Sequence, residues 1–395
     1  PAGCETYSGG IATGWEAGVE GLETAGAFND LCTGCSRCVN ACPVGIDIPW
    51  INTVVRDRIN RGTDAELDWL VDGLTPDAEP AGVDLGKRLF GNFSTLARLG
   101  SATAPVSNWL ANNRLSRQVL ERVAGIDQRR ALPAFQRETL RDWMADRSAV
   151  ADPDREVVLF PDVYTNHVQP DRGKAAVRAL EALNVRVQLA DCSASGRAPL
   201  SQGMISTATE HAEAVAAELG PHISAGRDVV VIEPSDHAMF QREYEKLIDA
   251  ESHTQLAENS YELFEYLYGL LANGADETAL AAGDGKRIAY HSHCQQRTLG
   301  VEQYTEAVLD ELGYDVVTSD VECCGMAGSF GYKADYYEVS MAVGEELAAQ
   351  FTTPETDDRT IVASGTSCLD QLDDLLQRPP KHPIELLAGG DDRTD

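Results

Sequence analysis

Ten cysteines, at positions 4, 32, 35, 38, 42, 192, 294, 323, 324 and 368, are the residues whose types and spacing could do chemistry. Residues 32–43 read CTGCSRCVNACP, which is C-x2-C-x2-C-x3-C-P without deviation. Three thiolates spaced three apart on a tight loop wrap three corners of a cubane, and the trailing Pro turns the chain away after the fourth. Cys32, Cys35, Cys38 and Cys42 therefore point to a [4Fe–4S] site. Zinc favours two separated C-x2-C pairs, or Cys with His, and this run contains no His. In two-cluster ferredoxins the fourth Cys of such a run serves the neighbouring cluster. No second run exists here, yet the chain starts on Pro1, the residue that follows a fourth Cys. Read as a piece of a longer polypeptide, it has an upstream motif that partners Cys42. Read as complete, it must hold one cluster with all four, Cys4 being a possible substitute.

A second group lies far downstream. Cys294 sits in HSHCQQR, Cys323 and Cys324 in ECCGMAGSFGY, and Cys368 in SGTSC. Each follows a short β-branched run, and ligands gather beyond the carboxyl ends of parallel strands. Four thiols from one subdomain is the count that an iron–sulfur cluster needs; a zinc site or plain buried thiols are the alternatives. Adjacent cysteines point to opposite faces of a regular strand, so Gly325 is expected to relax the backbone into a loop. Gly328 and Gly331 would then let main-chain N–H groups approach cluster sulfides. His291 and His293 flank Cys294 and are candidate donors to cluster sulfur, and Arg297 is a candidate to offset cluster charge. Cys192 reads as a spectator.

The elements that must position these thiols follow from the pattern. Ile48–Arg61 is expected to be an amphipathic helix, 64–86 a Pro/Gly-rich connector, and 87–147 mainly helical with breaks at Pro105 and Pro133. From residue 153 onward EVVLF, VRVQL and DVVVIE alternate with Ala-rich helical stretches, and a second series, RIAYHS, DVVTSD and TIVASG, follows from Lys286. Strands alternating with helices predict βαβ units around a parallel sheet. The two series read as an internal repeat. Setting Leu180–Val187 over Leu309–Val316 gives an offset of 129, which places Ala194-Ser195-Gly196 on Cys323-Cys324-Gly325 and Thr165 on Cys294. With a small gap Asp236 falls on Cys368. One half holds four cysteines where the other has none.

Charge and export signals narrow the class further. With 63 acidic against 32 basic residues the formal charge is −31, so nucleic acid is repelled. Only six of the basic residues are Lys, a composition like that of proteins adapted to high salt, where ions screen the self-repulsion. No apolar run approaches the roughly 18–20 residues that span a bilayer, and the N-terminus has no signal-peptide pattern. A cytoplasmic chain is expected, peripheral at most on the inner face of a membrane. No G-x-G-x-x-G follows a strand, and Gly283-Asp284-Gly285-Lys286 lacks the first Gly and the Ser/Thr of a phosphate loop.

The stretch ECCGMAGSFGY with HSHCQQR upstream resembles the cysteine-rich CCG domain found in heterodisulfide reductase, in the iron–sulfur subunits of glycolate oxidase and anaerobic glycerol-3-phosphate dehydrogenase, and in lactate-utilisation protein A. YSGGIATGWEAG followed by LCTGCSRCVNACPVGIDIP resembles the ferredoxin-like end of lactate-utilisation protein B, and 87–147 the connector of FAD-linked oxidase/iron–sulfur fusions. The resemblance implies four parts: a ferredoxin-like [4Fe-4S] domain over 1–63, a helical connector over 64–150, a degenerate CCG subdomain over 151–280 and a cluster-binding one over 281–395. The fold class expected is α/β, with tandem pseudo-repeated CCG subdomains behind a helical ferredoxin-like domain. It also implies an electron-transfer component of 2-hydroxy-acid oxidation, fed by a flavoprotein partner and delivering to membrane quinone. One or two [4Fe–4S] clusters are expected in this chain, and a further one with upstream ligands. The family's motif usually stands in both halves and often ends in C-x2-C; here the first copy has Ala194, Ser195 and Asp236, and the second has Gly365 where the extra Cys would be. That departure argues against noncubane clusters and against the alternative of a component of a thiol–disulfide reductase. A zinc-stabilised scaffold is the non-enzymatic alternative.

Overall fold

The computed structural model of the protein describes residues 29–62, 85–376 and 378–388. Cys4 and most of the expected connector lie outside these. Among the described residues seven strands form, most of them from short β-branched runs: β1 (Arg155–Phe160), β2 (Val185–Leu189), β3 (Asp228–Val231), β4 (Ser260–Glu262), β5 (Arg287–His291), β6 (Asp315–Thr318) and β7 (Thr360–Ala363). They make two parallel sheets, ordered β2-β1-β3-β4 and β6-β5-β7. Parallel neighbours require crossovers, and helices such as Pro170–Ala182, Ile205–Ser224, Glu302–Glu311 and Tyr337–Gln350 supply them.

Parallel strands covered on both faces are apolar throughout, and alternate residues divide between two cores. Val157 and Leu159 join Ile288, Tyr290 and Val362 in one apolar cluster that runs between the two halves, with Leu180, Leu267 and Leu309 from the intervening helices. Val158 and Phe160 face the opposite way, onto Ala212, Val215 and Leu219. Ala289, Ile361 and Ala363 do the same in the second half, and Cys324 and Cys368 are buried among them. The shared cluster makes the two halves a fused pseudo-dimer.

Strand register corrects the repeat. Val157 lies across from Val187 and Asp228, and Ile288 lies across from Val316 and Thr360, so the offset is 131 at β1/β5, 129 at β2/β6 and 132 at β3/β7. Val163, the first residue of helix Val163–His167, therefore stands where Cys294 opens helix Cys294–Leu299; Thr165 does not. The first half has two more residues between β1 and β2, which an alignment anchored on β2 carries upstream. Asp236 and Cys368 do correspond, each the third residue of its helix, Pro234–Gln241 and Thr366–Leu375. So do Gly196 and Gly325, with φ of +87° and +89°.

The segment before β1 is helical, as its apolar spacing predicts, with helices Leu85–Gly91, Phe93–Thr103, Val106–Asn112 and Arg114–Ala124. It is anchored on the second half by the buried Arg130, which donates to Gly331 O at 2.8 Å, Ser340 Oγ at 2.8 Å and Asp374 Oδ2 at 2.6 Å. The helix Ile48–Gly62 seats the N-terminal cysteine run on the first half: Arg56 donates to Ser201 O at 3.3 Å and Asn60 to Gln202 O at 3.1 Å.

Gly325 is required twice over, by its positive φ and because a Cβ there would stand 2.3 Å from Ser340 O. We expect Gly325→Ala to lower stability by about 1–3 kcal/mol in chemical denaturation. Gly125→Ala, at φ +64° with nothing within 4 Å of its Cβ, should cost only the left-handed backbone penalty of about 1–2 kcal/mol, less than Gly325→Ala. Equal losses would show that the close approach to Ser340 is immaterial.

Candidate iron–sulfur site

The parallel order puts the carboxyl ends of β5, β6 and β7 on one edge of their sheet. From that edge emerge Cys294 at the start of its helix, Cys323 and Cys324 in the loop after β6, and Cys368 in the first turn of its helix. All four reach one buried place, and their electrostatics record the crowding. Burial pushes the Cys294 thiol well above its ordinary range, with Cys323, Cys35 and Cys324 adding to the effect. Burial and then Cys324 push Cys323 up to about 12. A hydrogen bond with Cys368 holds Cys324 below the usual thiol range against the effect of burial, helped by the backbone N–H groups of Met326 and Ala327, while the same bond pushes Cys368 up.

In the N-terminal run, Cys38 is raised to about 11 by burial and then by Cys32 and Cys35. Cys42 is buried and its sulfur accepts from Ile46 N at 3.3 Å, much as Cys323 Sγ accepts from Gly325 N at 3.4 Å. Backbone N–H groups aimed at sulfur stabilise thiolate. The two runs meet. Cys35 is an electrostatic neighbour of both Cys294 and Cys323, and its carbonyl accepts from Thr298 Oγ1 at 2.9 Å. Asn40 Nδ2 donates to Thr298 O at 2.8 Å, and Gly34 O accepts from Gln295 Nε2 at 3.1 Å and from Arg197 Nη2 at 3.2 Å. Arg37 pairs with Glu322 and stands near enough to Cys323 to favour its thiolate.

Several residues singled out in the sequence do other work. Gly328 N donates to Ser367 Oγ at 3.0 Å and Gly331 N to Met326 O at 2.8 Å, so these N–H groups are spent within the loop and do not face sulfur. Arg297 is bound to Ser292 Oγ at 2.6 Å and Ser319 O at 2.9 Å, which ties the ends of β5 and β6 together. His293 caps the Cys294 helix by accepting from Gln295 N at 3.2 Å, and its ring fills the space that a side chain at Gly365 would take. Cys192 is raised to about 12 by burial, beside Glu218. Arg197, Arg37, Thr298 and Asn40 escape a reading of the sequence; no local pattern marks them, because their partners belong to the other run.

Buried donors next to the thiols test whether an iron–sulfur cluster suits the place. His291 Nδ1 is bonded to Ser319 Oγ at 2.7 Å, while its buried Nε2 and the buried Nη1 of Arg37 find no protein partner among the described residues. Soft thiol donors in two sets, N–H groups on sulfur and unspent buried donors are what an anionic cluster needs. No three of the described His, Cys, Asp and Glu side chains are placed to hold a metal ion, so the fit rests on this donor chemistry and not on a ready-made cage for one ion.

The comparisons with known proteins agree. Two family models match the chain, one of a cysteine-rich domain and one of a 4Fe-4S binding domain. The first family model, CCG, matches residues 288–373 and the second, Fer4, residues 28–46. The C subunit of anaerobic glycerol-3-phosphate dehydrogenase from Escherichia coli is 25% identical over 399 residues, covering 90% of this chain and 97% of that protein. Lactate utilization protein A of Bacillus pumilus is 28% identical over 242 residues, 59% of this chain and 96% of that protein. D-2-hydroxyglutarate dehydrogenase of Pseudomonas putida is 28% identical over 240 residues, but the match spans only 22% of that longer protein and 60% of this chain.

The hydrogen bond from Thr298 to Cys35 O spans 263 positions of sequence, so its loss is expected to loosen the N-terminal run locally, at a cost of about 0.5–1.5 kcal/mol. In Thr298→Val, hydrogen exchange at residues 32–42 should quicken while the rest of the chain is unchanged. Unaltered exchange there would mean that Arg197 and Gln295 hold the run without it.

Proposed function

We propose that this chain is the iron–sulfur electron-transfer component of a dehydrogenase acting on a hydroxy acid or a related secondary alcohol. The observation that carries the reading is the attachment of the N-terminal run to the helix that opens with Cys294, through Thr298 Oγ1 on Cys35 O at 2.9 Å and Gln295 Nε2 on Gly34 O at 3.1 Å. Cys32, Cys35, Cys38 and Cys42 are the proposed ligands in the first place, and Cys294, Cys323, Cys324 and Cys368 in the second. An iron–sulfur cluster at each place supplies one-electron exchange without bond making or breaking. What the chain's own residues add is position and environment. Helix starts and the Cys323–Gly325 loop fix the sulfurs, the apolar cluster behind Cys324 and Cys368 excludes water, and the Arg37 guanidinium near Cys323 offsets negative charge.

Glycerol 3-phosphate, 2-hydroxyglutarate and lactate, named in the relatives, each carry a secondary hydroxyl whose oxidation releases two electrons together. Taking them up needs a two-electron acceptor such as a flavin, and this sequence has no dinucleotide fingerprint. The reading therefore assigns that step to a flavoprotein partner or domain, and to this chain the division into single electrons passed toward quinone. A cleft beside Cys32, lined by Trp50, Arg197, Arg242 and Phe330 among others, gives the N-terminal run an open side. The first half, which has no thiol at the four corresponding positions, serves as a scaffold whose Arg197 reaches across to Gly34.

Two four-iron clusters amount to about eight iron and eight acid-labile sulfide per chain after anaerobic reconstitution. Substituting Ser at both Cys323 and Cys324 is expected to halve both numbers and to remove one of two signals in electron paramagnetic resonance of the dithionite-reduced protein. About four iron unaffected by that change, or zinc in place of iron, would overturn the relay.

A further inference from the structure

Seven of the thirteen large apolar side chains that the described residues leave exposed fall between residues 99 and 123: Leu99, Val106, Trp109, Leu110, Leu115, Val119 and Val123. They lie on three consecutive helices that pack in sequence, Phe93–Thr103, Val106–Asn112 and Arg114–Ala124. Their spacing is regular. Val106, Trp109 and Leu110 stand at i, i+3 and i+4, and Leu115, Val119 and Val123 at i, i+4 and i+8, each set on one helix face. The inner face of the last helix is accounted for separately: Arg117 is buried and donates to Asp127 O at 2.7 Å. That helix is also firmly ended, by Asn113, whose side chain accepts from Ser116 N at 3.0 Å, and by Gly125 at φ +64°. Trp109 is 69% exposed and Leu115 is 75% exposed, values that no packing need of the fold explains.

Charge breaks its rule in the same place. The chain has 63 acidic residues in 395, yet Phe93–Ala124 contains one, Glu121, against four arginines. Arg98, Arg114 and Arg122 are exposed and form no ion pair among the described residues.

We infer that this helical face docks on the surface of a membrane containing anionic lipids, the helices lying in the plane of the interface with Trp109, Leu110, Leu115 and Val119 among the headgroups and upper acyl chains. Headgroup phosphates take the three arginines, whose stems lie along the apolar side chains, and the apolar face leaves water. No described helix is long and apolar enough to cross a membrane, so the attachment is one-sided. The inference rests on the electron-transfer reading only for its purpose, which is to hold the chain beside a lipid-soluble acceptor.

The cluster-loaded full chain is tested by flotation with vesicles of phosphatidylglycerol and phosphatidylcholine in equal parts, and with vesicles of phosphatidylcholine alone. Binding is expected to the former, with an affinity at least about tenfold lower in Leu115→Glu/Val119→Glu and in Arg114→Gln/Arg122→Gln. These positions are exposed, so circular dichroism and iron content should match the parent chain, and iron analysis decides the electron-transfer reading independently. Failure of the parent chain to float, or variants that float as well as it does, overturns the inference. So does unchanged flotation in variants that lose self-association or copurification with a dehydrogenase, which would make the face a protein interface.

Discussion

The structure depends on bringing thiols from two runs, more than 250 residues apart, to one buried boundary without letting them repel each other apart. Parallel strands solve the first half of the problem. Because β5, β6 and β7 point the same way, three unrelated loops end on one edge, and four sulfurs arrive there from three chain segments. Hydrogen bonds solve the second. The hydrogen bond with Cys368 and the backbone N–H groups pull the Cys324 thiol down, the same bond pushes Cys368 up, and burial pushes Cys294 and Cys323 up, so the four sulfurs are not equivalent. The N-terminal run is then fastened at Gly34 and Cys35 by side chains from both halves of the repeat.

The first half has no thiol at the four corresponding positions, and polar side chains stand at two of them. Ser195 occupies the place of Cys324 and Asp236 that of Cys368, and the Ser195 hydroxyl donates to the Asp236 carboxylate as the sulfurs bond to each other in the other half. Burial, with Asp162 next, pushes Asp236 well above the usual carboxylate range. The polar pair satisfies itself, which is the condition for keeping polar groups in a core. Between the halves, Glu233 accepts from Thr366 N at 3.0 Å and from Thr366 Oγ1 at 2.8 Å, while Arg172 donates to Thr366 Oγ1 at 2.8 Å. The first half thus braces the helix that carries Cys368.

How much of this was legible in the sequence depended on range. The C-x2-C-x2-C-x3-C-P run is local and reads directly, and β-branched runs separated by helical stretches give a parallel sheet whatever their partners. Cys294, Cys323, Cys324 and Cys368 could be grouped because each follows a strand. Register was less legible: two extra residues between β1 and β2 displaced Thr165 from the place that belongs to Val163. β4 is three residues long and carries too little pattern to find. Arg197 and Thr298 were invisible, since a side chain that bonds a carbonyl 163 or 263 residues away leaves no trace in its neighbours. The roles given to Gly328 and Gly331 failed for a related reason, because which acceptor takes an N–H is settled by tertiary packing at Ser367 and Met326.

Charge distribution follows the same logic at the scale of the surface. A formal charge of −31 opposes compaction and any approach to another anion, and it burdens most a protein whose buried thiols must themselves become anionic to bind iron. Cations are therefore worth most where they are placed singly. Arg197 and Arg37 lie close to Cys294 and Cys323, where both favour the thiolate. With so few basic residues available, each exposed arginine without an acidic partner is a departure from the pattern of the whole. Among the described residues Arg98, Arg114 and Arg122 lack such a partner together, beside side chains that avoid water. The acidic background gives these three arginines their meaning, since on a neutral protein they would pass for an ordinary solvated face.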